Sequence, residues 1–203
     1  MAVFSSPTRS SPDTVGLPSW GFDPNRSNVS FCARRMGAIW VKGCFSDVRG
    51  TLYWDLDEPL SASCVGEIDV ASLHAGEPRL NTELRAADFL DPRHHPTIDF
   101  AARVCERTGQ SSFRADVVLS LRGTSRHVPM ELSYLGRWEA PISAGDDGEG
   151  TSTRLGLRAD GVIRRQDFEV VEAAAESSNA NRVTGSTIEI ALDLEAVLDE
   201  DLR

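Results

Sequence analysis

The chain has 203 residues, of which 40% are hydrophobic, and its formal net charge is −10 at pH 7. This length and composition suit one large β domain. Nucleic-acid binding relies on clustered lysine and arginine, so the acidic balance argues against such a partner, and it also disfavours adsorption on an anionic membrane surface. No run approaches the roughly 18 consecutive apolar residues of a membrane-spanning helix, so we expect no stable membrane insertion.

The N-terminal residues are rich in serine and proline and show no apolar period. This predicts a disordered tail over residues 1–18, followed by one domain over residues 19–203. A secretory signal would need a basic region followed by an apolar one, and neither is visible, so we expect a cytoplasmic protein. The cysteines form no CxxC pair, and we expect free thiols. A disulfide between Cys32 and Cys44 across neighbouring strands stays open as an alternative.

From Trp20 onward apolar and polar residues alternate with a period of two, which is typical of strands with one buried face. This alternation predicts about eight strands, over residues 29–33, 51–55, 67–70, 98–104, 113–121, 128–134, 154–159 and 188–194. Strands of this kind close into a barrel or stack as a sandwich, and closure leaves no exposed edges.

The connections between these strands carry their own signals. A short connector after residue 33 holds Met36, Ile39, Trp40 and Val41, whose apolar bulk suggests a plug at one end of a barrel, and a strand with glycine at both ends follows it. The segment 122–125 has the length of a tight hairpin. Apolar residues at helical spacing predict a helix between residues 77 and 90, which Asp91-Pro92 ends. Polar loops are predicted over residues 139–153 and 173–181.

Several short motifs follow one another in a definite order. They are Trp20-Gly21-Phe22-Asp23-Pro24, Ser27-x-Val29-x-Phe31, Arg35-Met36-Gly37, Gly43-Cys44-Phe45, Ile68-Asp69-x-x-Ser72, Arg79, Asp88-Phe89-Leu90-Asp91, His95-Pro96-x-Ile98-x-Phe100, the stretch 119–128, and Arg164-Arg165-Gln166-Asp167-Phe168. Each motif is weak alone, but in this order the chain resembles the YceI-like family of lipocalin-like barrels that bind polyisoprenoid lipids. Two positions depart from the family pattern. The residues after Arg79 lack the usual Asp-x-His-Leu, and Glu169 stands where glycine is common.

The resemblance implies an all-β fold, an antiparallel eight-stranded lipocalin-like β-barrel with a short inserted helix. It also implies that a polyisoprenoid, such as a prenyl quinone or polyprenyl phosphate, lies inside the barrel, without catalysis and without a cofactor. The candidate cavity wall is Phe31, Met36, Ile39, Trp40, Phe45, Leu52, Trp54, Ile68, Phe89, Phe100, Leu119, Leu132, Leu157 and Ile190. Ligand exchange is expected near residues 36–41 and 89–95.

The arginines in the matched motifs allow two interpretations. Arg164 and Arg165 are candidates to anchor a pyrophosphate or quinone head group, and the alternative is that they pair with nearby carboxylates to hold loops. Family members are often dimers, so the resemblance makes a homodimer plausible.

Two other functions remain open from the residues. A barrel packed solid by its own side chains would serve as an interaction module, and an enzyme would need a polar pair inside the cavity. No G-x-S-x-G motif is present. We expect no metal site at His74, His94, His95 or His127, which we interpret as surface or loop residues. His94 and His95 in particular would not bind one ion together, because adjacent strand residues face opposite ways. The acidic glycine-rich stretch 145–150 does not match an EF-hand loop and is read as a solvated loop.

Overall fold

The computed structural model describes residues 16–35, 39–87, 89–141, 150–168 and 187–199, with the side chains of Arg35 and Ile39 left out. The predicted tail over residues 1–18 lies outside this part of the chain except for residues 16–18, and the predicted loop over residues 173–181 lies wholly outside it.

The described residues form eleven strands, one α-helix and short 3-10 turns. The strands are β1 (Ser19–Phe22), β2 (Asn28–Arg35), β3 (Ile39–Phe45), β4 (Val48–Tyr53), β5 (Ser63–Asp69), β6 (Leu73–His74), β7 (Thr97–Arg107), β8 (Ser112–Leu121), β9 (Thr124–Pro141), β10 (Thr151–Arg164) and β11 (Thr187–Leu198). The helix is α1 (Pro78–Leu84), and the 3-10 turns cover Pro59–Ser61, Val70–Ser72 and Arg165–Phe168.

The strands make one antiparallel sheet that closes on itself. The hydrogen-bonded order runs β1-β4-β5-β7-β8-β9-β10-β11, and β11 pairs with β1 to complete a ring of eight. Strand β11 also pairs with β2 through Ile188↔Ala33, which continues the seam that β1 begins at Trp20↔Leu198. The predicted antiparallel eight-stranded β-barrel with one short helix is therefore confirmed.

Three of the eight positions are each shared by two strands. Strands β1 and β2 continue one line along β11, with the turn at Asp23–Arg26 between them. Strands β3 and β4 form the next line, with a break at Ser46 and Asp47, and pair with β2 and β1. Strands β6 and β5 form the third line and pair with β3 and β4. The predicted plug is wrong for Trp40 and Val41, because both lie within β3 and pair with Arg34 and Ala33 of β2. Met36 lies outside the described residues.

The other local predictions meet mixed outcomes. The hairpin over residues 122–125 is confirmed: Leu121 pairs with Thr124, and Arg122 and Gly123 form a two-residue turn with positive φ angles of 52° and 77°. Helix α1 ends at Leu84, earlier than predicted, but Leu80 and Leu84 are its buried residues. The predicted loop over residues 139–153 is wrong at both ends, since β9 runs to Pro141 and β10 starts at Thr151.

A buried ionic cluster holds the closing seam on the outer side of the barrel. Arg154 of β10 donates hydrogen bonds from Nη1 to Asp23 Oδ2 at 2.7 Å and to Glu195 Oε1 at 2.5 Å. The arginine side chain is only 7% exposed, and the carboxylates are 15% and 14% exposed. Burial lowers the pKa of the Arg154 guanidinium, and the hydrogen bonds with the two carboxylates more than offset this, so the net direction is upward.

We expect Arg154→Met to lower the free energy of unfolding by about 3 kcal/mol, because it removes the buried cation from two poorly solvated carboxylates. They keep only the exposed Arg26, which lies 4.0 Å from Asp23 and 3.4 Å from Glu195. Urea denaturation measures this loss. Arg158→Met is the matched control on the same strand: Arg158 also holds two carboxylates, Asp160 and Asp193, but its side chain is 43% exposed. The control should lose less than about 1 kcal/mol. Equal losses in the two variants would contradict a special role for the buried cluster.

Candidate functional site

The barrel encloses an apolar cavity to which all eight strand positions contribute. Its volume is about 180 Å³, more than ten times the roughly 15 Å³ that one water molecule needs. Its described lining is almost entirely aliphatic and aromatic, and the polar or ionisable residues in it are Ser63, Cys64, Arg103 and Arg165. Such a lining suits an apolar ligand.

Strand alternation explains why the wall is apolar. On β7 the residues Ile98, Phe100, Ala102 and Val104 line the cavity, while the intervening Asp99 and Ala101 are exposed and do not. Arg103, farther along the strand, is exposed and also borders the cavity. The same period holds on β8, where Ala115, Val117, Leu119 and Leu121 line the cavity. The pattern that builds the strands therefore also builds the wall.

Side chains in the middle of the barrel point inward without being fully buried. Phe31, Leu119, Leu132 and Ile190 line the cavity and are each half-buried. In contrast, Leu155, which lies near the start of β10, is 0% exposed. Inward residues that keep accessible surface mark space that the protein does not fill with its own atoms.

One end of the barrel is closed by an aromatic cluster. The Trp54 ring meets Phe113 edge-on at 6.0 Å between centroids and Tyr134 at 5.5 Å. Trp20 Nε1 donates a hydrogen bond to the Trp54 carbonyl oxygen at 3.1 Å, which joins the cluster to β1. Trp54 is 1% exposed, so this end is packed solid.

Three glycines face inward on neighbouring strands, and each has a phenylalanine ring lying against it. The ring of Phe31 lies on Gly43, that of Phe22 on Gly50, and that of Phe100 on Gly66. Gly50 and Gly66 are directly opposite each other across β4 and β5. A Cβ atom at any of these positions would overlap the ring. The glycines thus let the rings lie close to the sheet, and the rings of Phe31 and Phe100 line the cavity.

The opposite end, which we call the mouth, is formed by Leu84, Phe89, Leu90, Ile163, Arg165, Phe168 and Ile188. Arg122 donates a hydrogen bond from Nη1 to the Phe89 carbonyl oxygen at 2.9 Å, which holds the loop that carries Phe89 in place. Asp91, with a positive φ of 49°, accepts backbone hydrogen bonds from His94 and His95, and its carboxylate lies 2.8 Å from His94 Nδ1. The loop that carries Phe89 is therefore fixed from both sides.

The two candidate head-group arginines lie in different positions. Arg165 begins the 3-10 turn after β10, is half-buried and lines the mouth. Arg164 is the last residue of β10, faces outward and is exposed. Only Arg165 of this pair belongs to the cavity.

Cys64 points into the cavity from β5 and is the one thiol in its described lining. Burial raises the pKa of this thiol to about 12, and its backbone hydrogen bond with Ala102 offsets this only in part. The side chain is therefore a neutral thiol at pH 7 and not a thiolate nucleophile. All four cysteines are free, and Cys32 and Cys44 pair with Lys42 and Ser30 instead of with each other.

The structure locates most of the predicted wall residues on the cavity. Ten of them line it: Phe31, Phe45, Leu52, Ile68, Phe89, Phe100, Leu119, Leu132, Leu157 and Ile190. Trp40 was predicted wrongly, because the alternation of β3 turns it outward, where it is 46% exposed. Trp54 belongs to the closed end. Met36 lies outside the described residues, as does the side chain of Ile39.

Other lining residues were missed although the signal was present. Cys64, Ala102, Ala115, Met130 and Ala159 share the inward phase with residues already chosen on the same strands. Three of these five are alanines, which a search for bulky apolar side chains passes over, but large residues in the same phase, such as Ile98, Val117 and Leu121, were missed as well. Within the described ranges no group of three or more His, Cys, Asp or Glu side chains is arranged to hold a metal ion. No helix in the described part of the chain is long and apolar enough to cross a membrane.

Comparison with known proteins decides the family. The model of the YceI-like domain matches residues 20–196. This chain belongs to the YceI-like family. Among curated YceI-like relatives, a UPF0312 protein of Azotobacter vinelandii is 28% identical over 134 residues, 66% of this chain and 70% of the relative. Protein YceI of Escherichia coli is 28% identical over 144 residues, 70% of each chain.

The fold is also found in solved structures. Burkholderia cenocepacia BcnA superposes with a TM-score of 0.68 at 20% identity, covering 86% of this chain and 98% of that protein. A polyisoprenoid-binding domain from Saccharophagus degradans superposes with a TM-score of 0.64 at 15% identity, covering 90% of this chain and 99% of that domain. At these identities the likeness concerns the fold of the YceI-like barrel.

We expect Gly66→Ala to lower the free energy of unfolding by about 1–3 kcal/mol through overpacking. The new Cβ would meet the Phe100 ring and lie 2.7 Å from the Arg49 carbonyl oxygen, which rotation of a side chain cannot relieve. Gly109→Ala is the control, because its Cβ would make ordinary contacts at 3.4 Å with Ser112. Thermal denaturation of the two variants measures the difference, and an unchanged Gly66→Ala protein would contradict the packing of ring on glycine.

The thiols should differ sharply in reactivity. At pH 8 we expect iodoacetamide to alkylate the exposed Cys105 quickly and Cys64 slowly, because only about 10⁻⁴ of a thiol with a pKa near 12 is thiolate. Peptide mapping by mass spectrometry gives both rates in one sample, and unfolding in urea should make the rates equal. Rapid alkylation of Cys64 in the folded protein would refute its placement in the apolar wall.

Proposed function

We propose that this protein binds a polyisoprenoid lipid inside its barrel and carries or sequesters it without catalysis. The observation that carries the proposal is the unfilled apolar cavity, packed solid at one end and bordered by Arg165 at the other. Membership of the YceI-like family, together with the fold shared with a polyisoprenoid-binding domain of Saccharophagus degradans, supports the choice of ligand.

The physical basis for affinity is burial of apolar surface. Each CH₂ group transferred from water to an apolar site contributes roughly 0.8 kcal/mol, so a chain of several isoprene units can bind tightly without any specific polar contact. The few polar groups in a lipid site then serve to orient the ligand. In this barrel the apolar chain would extend toward Trp54, and the head group would remain near the mouth.

Arg165 is the candidate contact for that head group. A guanidinium at the border of an apolar cavity suits a phosphate or a quinone oxygen, because it donates several hydrogen bonds in a fixed plane. The ligand would thus be a polyprenyl phosphate or a prenyl quinone, whose head groups differ in charge. Arg165→Gln would weaken binding of the charged phosphate ligand more than binding of the neutral quinone.

The non-catalytic interpretation is supported by the chemistry of the described wall. Its side chains lack the acid–base pair or activated nucleophile that covalent or proton-transfer chemistry requires. The thiol of Cys64 is held protonated by burial. A homodimer and a cytoplasmic location stay predictions, and native mass spectrometry would count the subunits.

Filling the cavity should abolish lipid binding without unfolding the protein. Ala102 lines the cavity and Ala101, its neighbour on β7, is exposed on the outer face. We expect Ala102→Trp to weaken binding of a prenyl quinone at least tenfold in a fluorescence titration, and Ala101→Trp to leave it unchanged.

The stability of the two variants separates occupation of the cavity from misfolding. Because the indole would occupy space that is unfilled, lipid-free Ala102→Trp should melt no lower than lipid-free wild type. Retention of full quinone affinity by a folded Ala102→Trp protein would rule out binding inside the barrel.

A further inference from the structure

The outer surface of the barrel at the mouth carries a patch that combines cations with exposed apolar side chains. It consists of Arg34, Trp40, Lys42, Val162, Arg164 and Glu189, which we call the rim face. Its members lie on four neighbouring strands, β10, β11, β2 and β3, in that order. Three cations thus stand with one carboxylate in a protein whose net charge is −10.

The register of the sheet brings these side chains together. Glu189 of β11 is opposite Val162 on one side and Cys32 on the other, and Cys32 is opposite Lys42. Arg34 is opposite Trp40. The residues that alternate with them, such as Ala33 and Ile163, line the cavity, so the rim face is outside the same strand ends whose inner sides form the mouth.

The apolar members of the rim face are exposed. Trp40 is 46% exposed and Val162 is 53% exposed. The Arg34 guanidinium carbon lies 4.5 Å from the centroid of the Trp40 ring, which presents a cation and an aromatic side chain as a unit. Asp160, the next outward carboxylate along β10, is already held by Arg158.

Tryptophan flanked by cations is the combination that lies at the surface of an anionic bilayer. The indole ring prefers the headgroup region, and each lysine or arginine near such a surface contributes a modest electrostatic attraction. The overall charge of −10 opposes adsorption elsewhere on the chain, so it would orient the barrel with its mouth toward the lipid.

We propose that the rim face docks the mouth of the barrel on an anionic lipid bilayer, so that the lipid passes directly between bilayer and cavity. This proposal rests on the proposed function for the origin of the ligand. It adds the surface from which the ligand is taken and the side of the molecule that meets it. The contact is peripheral and reversible, since three cations and one indole give weak binding that raised salt screens.

Flotation with lipid vesicles tests the docking. Wild-type protein should float with vesicles that contain about a third phosphatidylglycerol and not with pure phosphatidylcholine vesicles, and salt should release it. Arg34→Glu combined with Arg164→Glu should reduce the bound fraction at least tenfold, since removal of each cation costs about fivefold. Trp40→Ala should also reduce it.

The matched control makes the same change of net charge at the closed end, with Arg114→Glu and Arg137→Glu. Its added negative charge should lower the vesicle-bound fraction somewhat. That fraction should still be well above the fraction of the rim variant, which combines Arg34→Glu with Arg164→Glu. Equal flotation of the two variants, equal flotation on both kinds of vesicle, or no flotation of the wild type would each overturn the docking proposal.

A second readout separates the two proposals. Occupancy of the cavity by a prenyl quinone supplied in detergent micelles needs no bilayer, so the rim variant should load as fully as wild type. Intact loading without rim-dependent flotation would overturn the docking and leave the carrier function standing. Failure of the wild type to load from micelles would overturn the proposed function, and docking for lipid transfer would fall with it.

Discussion

The closing seam of the barrel is the constraint on which the rest of this structure depends. Strand β11 pairs with β10 along its length and divides its other edge between β1 and β2. That division requires a turn between β1 and β2, and the turn supplies Asp23 to the buried guanidinium of Arg154. If the seam opened, inward side chains would lose their common interior and there would be no cavity. The ionic cluster thus acts on the ligand site from outside it.

The interior combines two kinds of packing that serve different purposes. At the closed end, aromatic rings meet edge-on, and Trp54 and Leu155 are only 1% and 0% exposed. In the middle, rings rest on glycines and small residues, and the wall stays partly accessible. Close packing stabilises the domain, while unfilled volume lowers its stability and leaves room for a ligand. A protein selected only for stability would fill this space.

The amino-acid sequence predicts much of this fold because apolar alternation survives on most strands. Strand β3 shows why the prediction fails in one place. Its inward residues are Val41, Gly43 and Phe45, so glycine removes the apolar signal at the centre, while Trp40 adds one on the outer face. The pattern then looks like an apolar connector. The resemblance to the YceI-like family indicated the strand through Gly43-Cys44-Phe45, which the period alone did not.

Ten large residues of the cavity wall were predicted, whereas its small residues and several large ones, such as Ile98, Val117 and Leu121, were not. Strand phase assigns Ala102 and Ala159 to the wall, but only if small residues are counted with the bulky ones. Arg164 and Arg165 are adjacent in the chain, and their separation depends on the 3-10 turn that begins at Arg165. The contact of Arg154 with Asp23 spans 131 residues and has no local signature. The outward position of Trp40, which the plug hypothesis missed, is the feature on which the proposed bilayer docking depends.

Native mass spectrometry of the freshly purified protein, followed by solvent extraction of whatever is bound, would show whether the barrel carries a lipid. We expect an adduct that extracts as a polyisoprenoid, and the identified head group would choose between a phosphate and a quinone. A bare protein that also refuses added prenyl quinones would contradict this expectation, and the cavity would then have to be explained without a lipid.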